Sequence, residues 1–191
     1  MDTYWSTPIW QYDVTNLEGI EELINISYEC KNKEKGNGLI LSNAGFSWHS
    51  PHNFAGPTSN LLITNEVMSC FKQSATDYGY VLKSASLSYW TIVTSKYGYN
   101  RRHNHPGSLL SGVLYLKVPE KSGSIRFTDP RLGKILEPSI GRDDIKNFGA
   151  ITIDPKVGLF VIFPSFLEHE VEMTLADEDR IIASFNLNPL S

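Results

Sequence analysis

The chain has 191 residues, and its 41% hydrophobic and 20% charged residues are typical of a soluble globular protein with room for one sizeable core. A net charge of -4 excludes a general electrostatic attraction to nucleic acid or to an anionic membrane surface. The two cysteines, Cys30 and Cys70, form no C-x-x-C motif and indicate a reducing compartment rather than a disulfide framework. Because the first residues lack a secretory signal pattern and no apolar run approaches the ~20 residues that span a bilayer, we expect a cytoplasmic protein.

Two helices are predicted in the N-terminal part of the chain. Aromatic and mixed residues at 4–14 first predict a strand or an extended arm. Apolar residues then recur at steps of three and four from Leu17 to about Lys33, with Asn16 as the candidate N-cap. The same periodicity predicts a second helix from Asn60 to about Tyr78.

The segment between these helices combines loop-forming and ring-bearing residues. Residues 42–58 are rich in Gly, Ser, Asn and Pro, which is typical of a loop, and they include Trp48, His49 and His52. The segment is therefore either a lid or wall that faces a substrate, with Trp48 as a candidate contact, or an aromatic plug over the core.

The C-terminal half of the chain predicts a series of short strands. They recur with turn residues between them, at 83–93, 110–118, 124–127, 150–153, 158–163, 170–173 and 181–187. This pattern favours a β-sandwich, a jelly roll or a small barrel. Residues 129–147 show no clear periodicity, and we expect them to form a loop that shapes a substrate pocket together with residues 42–58.

Two of the five histidines lie one residue apart and suggest a metal site. His103 and His105 precede the strand-like run 109–118, and alternate residues of an extended chain point to the same side. Both rings would then face one ion together with His169, which follows the strand-like run 158–164. A β-barrel assembles metal sites from distant histidines in this way. The alternative is a turn in which the histidines only form hydrogen bonds.

Arg180 opens the last predicted strand, eleven residues after His169. In an antiparallel sheet this strand would return beside the strand that carries His169, so that the guanidinium could bind a carboxylate with two parallel hydrogen bonds. Ser184 lies on the same face of the strand and could add a hydroxyl group. The alternative is a surface ion pair of Arg180 with Asp177 or Glu178.

Six motifs occur in an order and spacing that together are specific. In chain order they are Ser42-Asn43 with Gly45-Phe46, His103–Pro106 with Leu110–Leu116, Phe127–Arg131, Gly158–Ser165, His169–Val171 and Arg180–Asn186. In these motifs, over roughly residues 42–187, the chain resembles the non-haem iron, 2-oxoglutarate-dependent oxygenases. It is most similar to a small group of them known from bacteria and phages and related to prolyl hydroxylases.

The resemblance implies a mainly β protein in which N-terminal helices flank a double-stranded β-helix, the jelly roll also found in cupins. It implies one oxygenase-like domain over residues 1–191, with a layer of helices and strands up to residue 80 and the β-helix core from residue 81. A homodimer is the expected assembly, since a partner often covers exposed strand edges.

The resemblance also implies a function, the hydroxylation of a small-molecule or peptide substrate with Fe(II), 2-oxoglutarate and O2. The implied contacts are His103, His105 and His169 for Fe(II), and Arg180, Tyr115 and Ser184 for 2-oxoglutarate. Oxidation of the cosubstrate to succinate would drive attack on an unreactive C–H bond of the substrate. Arg131 would contact the substrate or the cosubstrate, unless it forms an ion pair with Asp129.

Two departures from the family pattern affect these expectations. The superfamily's first metal motif is H-x-D, whereas this chain has His103-Asn104-His105. Either all three histidines bind, and the site carries one negative charge less, or one of the pair His103 and His105 lies beside the metal and Asp129 or a water completes the set. The usual Arg-x-Ser spacing also places a serine where this chain has Ile182, which separates Ser184 from the pattern.

Two other functions fit the same residues. A cupin-like three-histidine metalloprotein would use its ion without 2-oxoglutarate, and Arg180 would then be dispensable. A non-catalytic binding module would keep the fold and use the pocket for a ligand, so that substitution of His169 would leave its function intact.

Overall fold

The computed structural model of the protein describes residues 6–15, 18–34, 38, 41–53, 61–131 and 149–190, with the backbone alone at 61–64. In chain order the helices and strands of these residues are β1 Trp10–Asp13, α1 Ile20–Lys33, β2 Asn43–Ala44, β3 Ser47–His49, α2 Leu61–Asp77, β4 Ala85–Thr94, β5 Tyr99–His103, β6 Leu110–Lys117, β7 Ile125–Thr128, β8 Ala150–Ile153, β9 Leu159–Pro164, β10 His169–Val171 and β11 Arg180–Pro189. The candidate cap Asn16 and the predicted loop residues 54–58 and 132–147 lie outside the described residues.

The strands form two antiparallel sheets. The larger sheet has the order β1-β9-β6-β11-β4-β3, and the smaller sheet has the order β2-β5-β10-β7-β8. Strands β1 and β3 belong to the larger sheet and β2 belongs to the smaller one, so the N-terminal part of the chain contributes strands as well as helices. Two facing antiparallel sheets with flanking helices are the double-stranded β-helix that we predicted.

Two apolar layers hold this architecture together, and β11 contributes to both because successive side chains of a strand point to opposite faces. The odd-numbered residues from Ile181 to Leu187 are buried in one cluster with Phe71 of α2. Ile182 points the other way, into a second cluster that contains Tyr115 of the larger sheet and Phe127 of the smaller one. The helices therefore cover the outer face of the larger sheet, and the space between the sheets is left for a site.

A glycine with a positive φ marks the start of α1 and the end of α2. The N-cap of α1 is Gly19, with φ 91°, a conformation that glycine adopts without strain, so the helix begins three residues after the predicted Leu17. Helix α2 ends in a Schellman motif, in which the N–H groups of Gly79 and Tyr80 donate to carbonyls of the last helical turn. In the described part of the chain, no helix is long and apolar enough to cross a membrane.

Three short strands of the structure were not predicted from the sequence. Residues 43–44 and 47–49 form β2 and β3 inside the predicted loop 42–58, and the pattern does not predict β5 at Tyr99–His103. These strands are short and largely polar, so they lack the alternation of apolar and polar residues on which strand prediction depends. Their position matters for the site, because β5 pairs with β2 on one side and β10 on the other.

Candidate metal centre and cavity

Three histidines meet at the ends of β5 and β10. His103 is the last residue of β5 and pairs directly with His169, the first residue of β10. His105 lies in the loop after β5, where its backbone N–H donates to the Ser165 carbonyl over 2.9 Å. One ligand atom from each of the three rings lies within 4.8 Å of the others. The histidines that the sequence singles out therefore form one cluster.

A break in register lets β5 face the site at two places. His103 pairs with His169 while Asn100 pairs with Val171, so three residues of β5 advance against two of β10. In a regular strand Asn100 and His103 would point to opposite faces. The bulge turns both of them toward the same cavity.

Backbone carbonyls determine which ring nitrogen of His103 and of His169 is free to bind an ion. Nδ1 of His103 lies 2.7 Å from the Arg101 carbonyl, and Nδ1 of His169 lies 3.0 Å from the Leu167 carbonyl. A carbonyl oxygen only accepts hydrogen bonds, so each Nδ1 carries the proton and Nε2 keeps its lone pair. Burial lowers the pKa of His103 and His169, and burial with the charges of nearby histidines lowers the pKa of His105 to about 4. The cluster is therefore neutral at pH 7, the form that binds metal.

A cavity of about 430 Å³ lies beside this cluster, between the sheets. Every histidine of the chain, five in all, lines it. Among the described residues the lining includes Arg101 and Arg102 but no aspartate or glutamate. The walls next to the cluster also include the hydroxyl of Ser42, 3.4 Å from Nε2 of His103. The charged residues of the described lining are thus all basic, within a chain whose net charge is -4.

A stack of three rings forms one wall of the cavity. The rings of His52 and His49 lie 4.8 Å and 5.6 Å from the ring of Trp90 and almost parallel to it. Because the two imidazoles are only 5.9 Å apart, they share one face of the indole. Trp90 also lies 5.8 Å from the ring of His105, so the stack borders the metal cluster. The predicted loop 42–58 does contribute a cavity wall.

Strand β3, which carries His49, also contributes a side chain to the apolar core, because neighbouring residues on a strand point to opposite sides. Trp48 is buried in the cluster under the helices, where its Nε1–H donates to Oε2 of Glu34 over 3.2 Å. It does not line the cavity that His49 lines. The segment therefore lines the cavity with His49 and fills the core with Trp48, which is separated from the other candidate site residues.

Arg180 is completely buried and has an incomplete set of partners. Its Nη1 donates to the Gly123 carbonyl over 2.8 Å, and its Nη2 donates to Oγ1 of Thr94 over 3.3 Å. Its Nε has no hydrogen-bond partner in the part of the chain that the structure describes. An unpaired buried guanidinium is costly, which makes this atom a candidate contact for an anionic ligand.

The alternative of a surface ion pair for Arg180 is wrong. Asp177 and Glu178 pair with two lysines instead, Asp177 with Lys96 at 2.5 Å and Glu178 with Lys117 at 3.0 Å. Arg180 points inward because it is the first residue of β11 on the face that also carries Ile182 and Ser184.

Tyr115 and Ser184 lie at different depths on the inner face of the larger sheet. Tyr115 pairs with Ile182, is buried, and interacts electrostatically with Arg180. Burial raises its pKa to about 12, so the phenol keeps its proton. Ser184 lies one step farther along β11 and lines the cavity.

Arg131 forms the ion pair that we gave as its alternative. Its Nε and Nη2 donate to the two carboxylate oxygens of Asp129 over 3.0 Å and 2.7 Å. Asp129 is not a member of the metal-binding group found among the described residues. The structure thus groups three histidines and leaves Asp129 with Arg131, next to the undescribed residues 132–148.

Two site residues escape the sequence reasoning. Asn100 and Asn186 line the cavity, and Asn100 is buried, with no partner for its Oδ1 among the residues that the structure describes. Asn186 could be found from the sequence, because it lies two residues after Ser184 and therefore on the same face of its strand. Asn100 could not, because only the bulge in β5 turns it inward.

Acid is expected to destabilise the metal-free protein. Burial lowers the pKa of His49 from 6.5 to about 4, so the unfolded chain binds a proton in this range before the folded protein does. The stability is then complete above pH 6.5 and falls as the pH drops from 6.5 to about 4. We expect His49→Gln to remove on the order of 3 kcal/mol of this loss, measured by denaturant unfolding at several pH values. A pH profile of stability that is the same for His49→Gln and for the unaltered protein would contradict the prediction.

Comparison with known proteins adds a family and a fold. A family model described as "Putative 2OG-Fe(II) oxygenase" matches residues 88–186. No curated protein matches the sequence. Similar solved structures include a Pseudomonas putida prolyl-4-hydroxylase, with 14% identity, a TM-score of 0.67, and coverage of 97% of this chain and 95% of that chain.

Two further solved structures have the same fold. A viral collagen prolyl hydroxylase from Paramecium Bursaria Chlorella virus-1 has 14% identity and a TM-score of 0.60, covering 95% of this chain and 96% of that chain. HygX from Streptomyces hygroscopicus, solved with nickel and 2-oxoglutarate bound, has 11% identity and a TM-score of 0.61, covering 96% and 83%. At these identities the likeness shows the fold alone, and it is the double-stranded β-helix.

Proposed function

The chain belongs to the 2OG-Fe(II) oxygenase family, and from this membership we propose that it is an Fe(II)- and 2-oxoglutarate-dependent hydroxylase of a small-molecule or peptide substrate. The observation that carries the proposal is Arg180, a fully buried guanidinium that, among the described residues, has no acidic partner and has an unpaired Nε. In a chain with a three-histidine cluster in the neighbouring cavity, a dicarboxylate that reaches from the metal to this cation explains both features.

The donor set fits a divalent iron ion. The ion would be held by His103, His105 and His169, since imidazole nitrogens suit iron. The rings of His103 and His169 already present Nε2. The hydrogen bonds behind Nδ1 would keep those rings in a binding orientation. With no carboxylate in the described cluster, the ion would keep its full charge, which favours an anionic chelator.

The buried polar groups near Arg180 fit the distal carboxylate of 2-oxoglutarate. A carboxylate oxygen would satisfy the unpaired Nε, and a second bond in parallel is the geometry that guanidinium groups favour. Tyr115, which keeps its proton, would donate to the same group. Ser184, which lines the cavity, would assist from the cavity wall.

Bound Fe(II) and 2-oxoglutarate would supply the oxidation: O2 is consumed, 2-oxoglutarate becomes succinate and CO2, and a substrate C–H bond becomes C–OH. The protein's own residues position these groups. Apolar side chains from both sheets, among them Val113, Ile125 and Val171, line the cavity and would keep water from the reacting centre. The stack on Trp90 would fix the wall beside His105.

A second candidate function follows from His105, which occupies the position of the superfamily's aspartate. With three neutral ligands the chain could act as a three-histidine metalloprotein that does not use 2-oxoglutarate. Arg180 would then have no ligand to bind, and its replacement would not affect activity.

An anaerobic titration tests the proposal. Metal-free protein receives Fe(II) and then 2-oxoglutarate, and the expected result is a weak visible charge-transfer band that requires both additions. Glutarate, which lacks the keto group, is the matched control and should give no band. Admission of O2 should then produce succinate. Binding of Fe(II) without any response to 2-oxoglutarate would favour the second candidate, and no binding of Fe(II) would exclude both.

A further inference from the structure

One buried histidine of the cavity has no ligand in the proposed mechanism. His49 is buried, with 2% of its surface exposed, and it lines the cavity, but it is not a member of the metal-binding group. His52 lines the same wall and is exposed, so water can satisfy its ring. A buried imidazole beside a metal cluster to which it does not belong needs another partner, because a buried polar group without a hydrogen bond costs free energy.

The hydrogen bonding of His49 leaves its Nε2 as an acceptor. Nδ1 lies 2.5 Å from the Ser50 carbonyl, which only accepts, so Nδ1 carries the proton and Nε2 keeps its lone pair. Burial lowers the pKa of His49 to about 4, so the ring has this neutral form at pH 7. No described residue donates to Nε2, yet Nε2 is not one of the sealed polar atoms that lack a partner. The nitrogen is therefore open to the cavity that the ring lines.

Stacking holds the ring of His49 close to the metal cluster. The imidazole lies 5.6 Å from the ring of Trp90 and at 11° to it, and the ring of Trp90 lies 5.8 Å from that of His105. The Nδ1 bond and the stack fix the imidazole from two directions, so Nε2 is a preorganised acceptor two ring contacts from the cluster. A substrate whose C–H bond lies at the metal occupies the same cavity of about 430 Å³.

The ligands that the proposed function already requires do not satisfy this acceptor. The two carboxylates and the keto group of 2-oxoglutarate are all acceptors at pH 7, and the metal-binding group consists of three other histidines. Asn100, which lines the cavity with 3% of its surface exposed, has the same need. Its Nδ2 donates to Oδ1 of Asn43 over 2.6 Å, whereas its Oδ1 has no partner within the described part of the chain. A cavity with two unfilled acceptors requires a ligand that carries donors, and in an oxygenase that ligand is the substrate.

The charges of the lining favour a neutral donor over a cationic one. Buried or partly buried cations are usually paired with carboxylates, but the described lining contains no aspartate or glutamate. Its charged residues are Arg101 and Arg102, which repel a cation. A hydroxyl group or an amide N–H is the donor that remains.

We propose that Nε2 of His49 is a substrate-binding acceptor, and that the substrate carries an uncharged hydroxyl or N–H group that donates to it while the C–H bond lies at the metal. This inference rests on the proposed function and adds the chemical class of the group that is recognised. His49 determines which end of the substrate lies beside Trp90, and the Ser50 carbonyl positions its ring.

Two pairs of fluorinated probes, whose members differ in one donor, test the proposal by ligand-observed fluorine NMR. Trifluoroethanol has a hydroxyl group and its methyl ether has none, whereas N-methyltrifluoroacetamide has an N–H group and N,N-dimethyltrifluoroacetamide has none. The Zn(II)-loaded protein is titrated with each probe at pH 7, with and without saturating 2-oxoglutarate. We expect the donor-bearing member of at least one pair to bind about fivefold more tightly, as one net hydrogen bond predicts. The pair that shows the preference identifies the donor as a hydroxyl or an N–H group.

Two matched variants assign the preference to Nε2. His49→Phe keeps a ring that can stack on Trp90 but removes the acceptor, so the preference should disappear. His52→Phe changes the neighbouring ring of the stack and should keep the fivefold preference. Equal binding within both pairs by the unaltered protein, an unchanged preference in His49→Phe, or an equal loss in His52→Phe would each overturn the inference. If 2-oxoglutarate does not bind, the proposed function fails, whereas the donor preference is still measured on the Zn(II)-loaded protein, so the two failures are distinguishable.

Discussion

Replacement of His169 by alanine is expected to weaken the binding of a divalent metal by at least roughly 100-fold, since loss of a hydrogen bond behind a ligand alone costs up to that factor. The side chain is buried between the sheets, and its Nδ1 bond to the Leu167 carbonyl leaves Nε2 as one of three converging nitrogens. The alanine variant keeps two imidazoles, too few for a stable site. Competition with a chromogenic chelator, using Co(II) or Zn(II), measures the effect.

His52→Ala is the matched control for this prediction. His52 lines the same cavity and stacks on Trp90, but it is not a member of the metal-binding group. Its removal should change the metal affinity by less than a factor of about three, as expected for residues that make no direct or second contact with an ion. Equal losses in the two variants would show that the cavity wall, rather than His169, determines metal binding.

Replacement of Arg180 by methionine is expected to have opposite effects on ligand binding and on stability. The affinity for 2-oxoglutarate should fall by about 30-fold or more, because a buried charged hydrogen bond is lost. The free energy of unfolding of the metal-free protein should rise by about 1–2 kcal/mol, since an apolar side chain of similar length removes a buried cation for which the described residues provide no acidic partner. Calorimetric titration of the Zn(II)-loaded protein and denaturant unfolding measure the two quantities.

The control for Arg180→Met is Arg126→Met on β7. Arg126 is exposed and lies 3.5 Å from Glu170, so its loss should change the stability by less than about 0.5 kcal/mol and leave 2-oxoglutarate binding unaltered. A variant of Arg180 that unfolds more easily while it binds 2-oxoglutarate normally would contradict both parts of the prediction. It would show that the guanidinium is a structural group whose bonds to Gly123 and Thr94 outweigh its burial.

The histidine cluster could be predicted from the sequence because its signal is local. Two histidines one residue apart before a strand, and a third after a later strand, require only that the two strands are neighbours. The structure reaches this result in a way that the spacing does not reveal, since His103 ends β5 and His105 lies in the following loop. The strand β5 itself was beyond prediction because Tyr99-Asn-Arg-Arg-His103 has no apolar alternation.

Long-range contacts set the limit for the remaining residues. The sequence places Arg180 at the start of a strand, but only the structure shows that Asp177 and Glu178 pair with lysines and not with Arg180. The sequence offers Trp48 and His49 equally as residues that could line a site. Which of them faces the cavity depends on the pairing of β3 with β4. Helix α1 begins later than predicted because a left-handed glycine, Gly19, caps it.

Because every histidine lines one cavity, the imidazole signals of the protein would report on the binding of ligands in that cavity. In most proteins the imidazole resonances come from sites scattered over the surface, and assigning them is the first obstacle to reading a titration. Here a sample isotopically labelled in histidine alone would produce five ring signals, each from a side chain that borders the cavity. Such a sample would allow compound collections to be screened for substrates without any knowledge of the reaction product.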